Sequence, residues 1–163
     1  MLLLLFHIHE DQYAIDTAPI IEIMPVVELR KVRSTTAPIA GMFNYRGNIL
    51  PVIDLCRLIG DTECPICYSS RLIIIDATKD LVNNHCSTSQ FGLLAEQVTE
   101  TLKVDDGQFK TTQSVGDAPY LGKLLIGEMG MLQMIRWQYF ADQIEQLVTH
   151  KEGTILANGA AHH

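Results

Sequence analysis

Short apolar runs of strand length constrain the fold of this chain more than any other feature of its sequence. Most of these runs are bounded by Gly, Pro, Asp or Asn, and no long helical pattern alternates with them. Such a pattern is typical of β-strands separated by turns, and it predicts an all-β barrel or sandwich. The predicted strands are Leu2–Ile8, Tyr13–Ile15, Ile20–Val27, Gly41–Tyr45, Ile49–Ile53, Leu72–Ile75, Phe91–Leu94, Val98–Val104, Leu121–Ile126 and Met131–Ile135.

Only two segments predict helix. Residues 55–59 are followed by Gly60, and glycine commonly ends a helix. Residues 138–148 space their apolar side chains at helical intervals, which predicts an amphipathic C-terminal helix packed on the sheet. Asp11-Gln12 predicts the turn of the first hairpin. Polar segments rich in turn-forming residues predict loops at 61–70, 78–90 and 105–119.

Length predicts one domain, because 163 residues suffice to bury a core but fall within the usual size of a single unit. We expect this domain to occupy residues 1–150. Residues 151–163, which end in His162 and His163, are expected to form a flexible tail that can include residues added during cloning.

Charge and hydropathy exclude several kinds of partner. The net charge is −7 and most basic residues are scattered, so binding to a phosphate backbone would work against general repulsion. The apolar start, residues 1–6, is far shorter than a membrane span and lacks the charged region of a secretion signal. We therefore expect a cytoplasmic protein that binds no nucleic acid and does not insert into a membrane.

Residues 44–55 form the most distinctive motif, Asn-Tyr-Arg-Gly-Asn-Ile-Leu-Pro-Val-Ile-Asp-Leu. It predicts a turn at Arg46-Gly47 and then an apolar strand that ends at Asp54. The planar fork of an arginine suits recognition of carboxylates and carbonyls, so Arg46 indicates a partner surface. A second interpretation is equally open, in which Arg46 forms an internal ion pair with Asp54 or Glu22 that fixes the turn.

Cys64-Pro65-Ile66-Cys67 has the spacing of a metal or redox motif. A zinc site would need His85 and Cys86 as well, with Cys56 as a spare, and adjacent ligands fit a tetrahedral site poorly. A redox motif is expected at the start of a helix, whereas a loop is predicted here. We therefore expect incidental loop thiols, no metal and no cofactor, with a small zinc- or thiol-dependent protein as the alternative.

Other chemistry-bearing residues predict no catalysis. His7 and His9 fall on one face of the first strand by the period of two, and packed or solvated histidines are expected there rather than a metal pair. No serine sits in a nucleophile elbow, and no glycine-rich loop opens a helix to hold phosphate. We therefore expect a protein that is not an enzyme.

Several of these motifs, in this order, resemble the CheW-like family of bacterial chemotaxis coupling proteins. Residues 44–55 keep the family spacing of Arg-Gly, Pro and Asp-Leu. Tyr13-Ala14-Ile15-Asp16 with Ile20-Ile21-Glu22-Ile23 resembles its first hairpin and Val-x-Glu-Ile continuation, and residues 91–98 resemble a later strand. The resemblance extends from Met1 to about Val148.

The resemblance implies a fold of two intertwined five-stranded SH3-like barrels that share an apolar layer, with short helices near 55–59 and at the C-terminus. It also implies a non-catalytic adaptor that couples chemoreceptors to a CheA-type histidine kinase. Such a protein would be cytoplasmic and recruited to membrane receptor arrays. The implied kinase-interface residues are Ile20, Glu22 and Ile23, facing the regulatory domain of the kinase. The implied receptor or array interface, facing the cytoplasmic tip of the receptor, comprises Arg46, Gly41, Gly47 and Asn44.

Three departures from the family pattern touch these residues. Tyr45 stands where the family usually has leucine, which changes the side chain next to Arg46. Ala95-Glu96 replaces Val-Asp and lengthens one acid. Pro19 and Pro25 bracket the strand of Glu22, which predicts that this strand lies at the edge of a sheet.

Overall fold

The computed structural model describes residues 1–32, 39–79, 90–105, 107, 110–112, 118–128 and 130–146. The predicted tail, together with His85, Cys86, His162 and His163, lies outside these residues. Within the described ranges, neither of the two α-helices is long and apolar enough to cross a membrane.

Ten strands and two short α-helices account for most of the described residues. The strands are β1 Leu2–Ile8, β2 Asp11–Asp16, β3 Ile20–Pro25, β4 Ile39–Tyr45, β5 Asn48–Asp54, β6 Arg71–Asp76, β7 Gln90–Lys103, β8 Lys110–Thr112, β9 Leu121–Gly127 and β10 Gly130–Ile135. The helices are α1 Leu55–Gly60 and α2 over 137–146, and a 3-10 turn occupies Ala77–Lys79. The predicted mostly-β fold is confirmed.

The long strand β7 belongs to two sets of strands. Its first half pairs with β6 antiparallel and with β5 parallel, which gives a first set in the order β3-β6-β7-β5-β4. Its second half pairs with β1, and a second set follows in the order β7-β1-β2-β10-β9-β8. The change of partner falls near Gln97, whose φ is 45°, and the register between β1 and β7 shifts there.

Three details of the predicted elements are wrong, and the end of one predicted helix lies outside the described residues. The runs 91–94 and 98–104 are one strand, because the backbone stays paired through polar residues between them. The first hairpin turns at His9-Glu10, with His9 at φ 56°, and Asp11 already begins β2. Strand β8 lies within the segment predicted as a loop at 105–119, where a polar edge strand has no apolar signal. The predicted helix to Val148 is observed at 137–146, and residues 147–148 lie outside the described ranges.

The two end strands of the first set, β3 and β4, come close together. Glu22 on β3 contacts Tyr45 on β4, and Arg30, which follows β3, pairs with Met42 through two backbone hydrogen bonds of 2.8 Å. Gly41 permits this approach, because a Cβ at that position would lie 2.7 Å from the Arg30 carbonyl oxygen. No ladder joins β3 to β4 in the described residues, so the five-stranded barrel form stays a prediction.

Burial explains how the two sets hold together. Alternate residues of β1 face two separate apolar clusters, as the period of a strand requires. Leu4, Phe6 and Ile8 belong to a large cluster that includes residues of both sets and of α2, whereas Leu3 and Leu5 belong to a small cluster within the second set. β1 is therefore buried on both faces.

Helix α1 begins as the sequence predicts but ends differently. The Asp54 side chain caps its N-terminus by accepting a hydrogen bond of 3.1 Å from the Arg57 backbone N–H. At the C-terminus the left-handed residue is Asp61, at φ 62°, and not Gly60. Position 60 requires glycine for another reason, because a Cβ there would overlap the ring of His9.

The close approach at Gly41 predicts the effect of Gly41→Ala. The added methyl would push β4 away from the Arg30 backbone, and we expect a loss of about 1–3 kcal/mol in the free energy of unfolding. Gly122→Ala is the matched control, because its nearest neighbours are side-chain atoms of Arg136 and Met134, and we expect a loss below about 0.5 kcal/mol. Urea unfolding measures both, and equal stabilities of the two variants would contradict the prediction.

Candidate partner-binding surface

The tight turn between β4 and β5 presents Arg46 to solvent. Arg46 and Gly47 have positive φ values of 51° and 89°, the conformation of a two-residue hairpin loop. The Asn44 side chain holds this turn by accepting a hydrogen bond of 2.9 Å from the Gly47 N–H. Nothing lies within 4 Å of a Cβ at Gly47, so its φ and not its space requires glycine.

The side chain of Glu22 accepts hydrogen bonds from two neighbouring residues of this hairpin. The Tyr45 hydroxyl donates to Glu22 Oε2, and Arg46 Nη2 lies 3.4 Å from the same oxygen. The Arg46 guanidinium also lies 5.2 Å from the centre of the Tyr45 ring, within cation–π range. Glu22, Tyr45 and Arg46 form what we call the Glu22–Arg46 cluster, and it joins the predicted kinase-interface residue to the predicted array-interface residue.

Exposure differs strongly within the cluster. The Arg46 side chain is 76% exposed and that of Glu22 is 35% exposed, whereas Tyr45 is buried. The hydrogen bond to Glu22 raises the pKa of the Tyr45 hydroxyl, and burial of the ring adds to this effect. The Tyr45 phenol therefore stays protonated at neutral pH and donates its hydrogen bond to the Glu22 carboxylate, while the Arg46 side chain lies largely in water.

Of the two interpretations of Arg46, the internal ion pair is present in the structure. Its internal ion pair is with Glu22 and not with Asp54. Asp54 is buried and its two carboxylate oxygens accept from backbone N–H groups of Arg57 and Cys64 instead.

Strand β3 places the other predicted kinase-interface residues at the edge of the first set. Among the described strands β3 pairs only with β6, as Pro19 and Pro25 predict for an edge strand. Ile23 is 43% exposed, whereas Ile20 is half-buried and packs on the large apolar cluster. An exposed aliphatic side chain therefore lies next in sequence to Glu22.

Gly41 is the predicted interface residue least available to a partner. It is buried and lies against the chain's own Arg30. Asn44 and Gly47 are exposed at the turn with Arg46, so the structure groups three of the four predicted array-interface residues.

The cysteines are arranged differently from the predicted metal set. The Cys64 thiol lies beside Cys56 and Asp54, with the three potential ligand atoms within 4.8 Å of one another. Hydrogen bonding with Cys64 raises the pKa of the Cys56 thiol, and burial raises it further. Cys67 instead contacts the hydroxyls of its serine neighbours, so Cys64 and Cys67 have different surroundings. The predicted partners His85 and Cys86 lie outside the described residues.

Cys67 is exposed, whereas the thiols of Cys56 and Cys64 are buried. Its sulfur lies 3.4 Å from Ser69 Oγ and 3.3 Å from Ser70 Oγ. These hydrogen bonds, from Ser69 first, lower the pKa of the Cys67 thiol to about 7. An exposed thiol of this kind is nucleophilic near neutral pH.

The prediction that His7 and His9 share one strand face is wrong. Strand β1 ends at Ile8, and His9 lies in the turn with a positive φ. His9 Nε2 is within hydrogen-bond distance of the Gly60 carbonyl at 3.3 Å and of Thr62 Oγ1 at 3.1 Å. His9 thus tethers the first hairpin to the end of α1.

Two contacts between side chains were not predicted from the sequence. The bond between Tyr45 and Glu22 joins residues 23 positions apart, and its only signal was the replacement of the usual leucine by tyrosine. Cys56 was considered only as a spare ligand, although it follows Asp54 by two positions and both turn inward at the start of α1.

Removal of the Tyr45 hydroxyl tests the internal side of the cluster. Tyr45→Phe leaves Glu22 with one donor fewer, and we expect a loss of about 1 kcal/mol in the free energy of unfolding. Tyr68→Phe is the control, because Tyr68 is 99% exposed and should change stability by less than about 0.5 kcal/mol.

The sign of the alkaline response follows from the same bond. A raised pKa in the folded state means that the Tyr45 contribution is present at neutral pH and is lost as the pH rises past about 10, where unfolded tyrosine ionises. Wild type should therefore lose its advantage over Tyr45→Phe above that pH. A stability difference that is constant with pH would contradict this assignment.

Alkylation kinetics test the assignment of Cys67. In a Cys86→Ser background, we expect iodoacetamide to modify one thiol rapidly, with a rate that reaches half its maximum near pH 7. Ser69→Ala should move this midpoint toward the ordinary thiol value, and Cys67→Ser should remove the fast phase. The buried Cys56 and Cys64 are expected to react slowly. A midpoint unaffected by Ser69→Ala would show that Ser69 does not stabilise the thiolate.

The comparisons with known proteins agree with this architecture. The structure of the scaffolding protein TtCheW from Thermoanaerobacter tengcongensis is similar, with a TM-score of 0.67 and 24% sequence identity over 82% of this chain and 82% of that chain. At this identity the similarity shows a shared fold. No curated protein matches the chain. The family model described as CheW-like domain matches residues 2–143, and the chain therefore belongs to the CheW-like domain family.

Proposed function

We propose that this chain is a non-catalytic adaptor that couples chemoreceptors to a CheA-type histidine kinase in chemotaxis-like signal transduction. The Glu22–Arg46 cluster carries the proposal, because it sets the charged residues of two expected interfaces side by side at an exposed sheet edge. Membership in the CheW-like family supports the role, and the similar structure is itself titled a scaffolding protein. The adaptor acts in the cytoplasm and is recruited to receptor arrays.

Arg46 is suited to exchange its internal partner for an external one. The pair with Glu22 uses one guanidinium nitrogen at 3.4 Å, and the arginine side chain is mostly in water. Exposed pairs of this kind contribute about 0–1 kcal/mol, so a partner carboxylate or carbonyl can replace Glu22 at small cost. The remaining donors of the planar fork allow a partner to be bound while Glu22 is retained.

The kinase side of the proposal rests on the edge strand β3. Ile23 offers exposed apolar area next to the Glu22 carboxylate, and the strand has an unpaired edge in the described structure. By the family resemblance the regulatory domain of the kinase is itself CheW-like, so Ile20, Glu22 and Ile23 would meet a surface of like chemistry. Asn44, Arg46 and Gly47 would meet the receptor tip or a neighbour in the array.

The proposed mechanism is geometric and not chemical. An adaptor couples two partners when its contacts with one change the free energy of binding the other. Because Glu22 and Arg46 contact each other, a partner that attracts Arg46 also changes the charge seen at Glu22. The cluster therefore provides a direct route by which receptor contact can alter kinase contact.

A binding experiment tests the proposal. The full chain is titrated with the regulatory domain of the cognate kinase and, separately, with a receptor tip fragment. We expect micromolar affinities that Arg46→Ala and Glu22→Ala each weaken about tenfold or more. The free energy of unfolding should fall by less than about 1 kcal/mol for Arg46→Ala, and by about 1–2 kcal/mol for Glu22→Ala because the Tyr45 hydroxyl loses its acceptor. Arg57→Ala is the matched control, because Arg57 is an exposed arginine of α1 outside the cluster. A folded protein that binds neither partner would contradict the proposed function.

A double-mutant cycle separates partner contact from turn fixation. If Arg46 acts only by holding Glu22 in place, the double variant should bind a given partner as weakly as either single variant. If the two residues also contact partners directly, the double variant should bind more weakly than either single variant, with a coupling energy of about 0.5–3 kcal/mol because the two side chains touch. We expect this partial additivity for whichever partner contacts both residues, and a double variant that binds as well as Glu22→Ala would remove Arg46 from the interface.

A further inference from the structure

Four buried side chains from separate elements meet behind α1. Asp54 ends β5, Cys56 lies in the first turn of α1, Cys64 lies in the following segment and Glu96 lies on β7. The ligand atoms of Asp54, Cys56 and Cys64 all lie within 4.8 Å of one another. The Cys56 thiol donates to Glu96 Oε1 at 3.7 Å, which places a second carboxylate next to Cys56.

The composition of this cluster is that of a ligand set for a thiophilic divalent cation. Zinc binds cysteine sulfur and carboxylate oxygen in tetrahedral geometry, with donor atoms about 3.5–3.8 Å apart around the ion. The observed separations lie within 4.8 Å, so small side-chain rotations would bring three donors to these distances. Two sulfurs with two carboxylates favour zinc over magnesium or calcium, which prefer oxygen alone.

Backbone hydrogen bonds already orient the Asp54 carboxylate. Its Oδ1 accepts from the Arg57 N–H at 3.1 Å and its Oδ2 accepts from the Cys64 N–H at 3.0 Å. Each carboxylate oxygen can accept a further interaction, so these bonds leave room for a metal ion. Ligands held by such outer hydrogen bonds are common at metal sites, because the bonds fix the ligand orientation. The N–H of Cys64 thus links one ligand residue to another.

The two buried carboxylates of the cluster also point to a cation. Asp54 and Glu96 are both buried, and Glu96 is only 7% exposed. In the part of the chain that the structure describes, neither carboxylate forms a salt bridge with a basic side chain. Buried charges in proteins are generally paired or coordinate a metal, because an isolated buried charge is costly. A divalent ion would place positive charge directly beside the carboxylates, and with both thiols ionised the site would keep a net charge of about −2.

We propose that Asp54, Cys56 and Cys64, with Glu96 as the fourth ligand, bind one zinc ion as a structural site. The ion would tie the segment after α1 to the end of β5 and to the middle of β7, and so fix the end of β5 that lies opposite the turn with Arg46. This site differs from the spacing-based set, because Cys67 is exposed and contacts serines instead. The proposal does not depend on the proposed adaptor function.

Cobalt and zinc titrations of the full chain test the proposal. Metal-free protein, kept reduced, is titrated with Co²⁺, which reports thiolate ligation through a sulfur-to-metal charge-transfer band and tetrahedral geometry through its visible bands. We expect one Co²⁺ per chain, displaced by one Zn²⁺, and a rise in Tm with zinc. Cys56→Ser and Cys64→Ser should each weaken binding more than about 100-fold, and Glu96→Gln should weaken it about 10–100-fold. Cys67→Ser and Cys86→Ser are the matched controls and should bind as wild type.

Circular dichroism without metal establishes which variants are folded, and Glu96→Gln keeps both thiols if the serine variants do not fold. Absence of the charge-transfer band in wild type would overturn the proposal, even if histidines near the C-terminus bind cobalt. Loss of the band in Cys67→Ser, or its survival in both Cys56→Ser and Cys64→Ser, would overturn the ligand set. A Cys56–Cys64 disulfide in protein prepared without reductant, combined with no cobalt binding after reduction, would instead identify a redox pair.

Discussion

Strand β7 is the constraint on which the rest of the structure depends. Its 14 residues provide a central strand to one set of strands and an end strand to the other, so each set uses the same backbone. The change of partner at Glu96 and Gln97 fixes how the two sets are oriented relative to each other. Strand β1, which is buried on both faces, packs against apolar side chains of both sets. A fold of this kind leaves little freedom for one set to move without the other.

Curvature of the first set has a direct effect on the surface. Strands β3 and β4 are the two ends of the strand order, and in a flat sheet three strands would lie between them. The contact between Glu22 and Tyr45 and the pairing of Arg30 with Met42 show that these ends meet. The Glu22–Arg46 cluster therefore exists because the sheet curls. Its position could not be read from sequence distance.

The sequence predicted most strands because apolar runs between turn-forming residues report local preference. Local preference does not report pairing, which is why the single strand β7 was divided at its polar centre and the polar strand β8 was missed. For the proposed site, Arg46 and Gly47 were predicted from the motif at 44–55, and Glu22 was predicted from the family resemblance. The choice of Glu22 over Asp54 as partner of Arg46 required the curled sheet, and the approach of Cys56 to Cys64 required the path of the chain after α1.

The hydrogen bond from Tyr45 gives the sheet edge a property that an aliphatic residue could not supply. If another molecule covered this edge and excluded water, a carboxylate that had lost its arginine would have no hydrogen-bond donor. Glu22 retains the phenol in that case, because Tyr45 is anchored in the apolar interior and does not depend on Arg46 for its position. A dry contact over this edge would therefore leave Glu22 with a hydrogen-bond donor, which a leucine at position 45 could not provide.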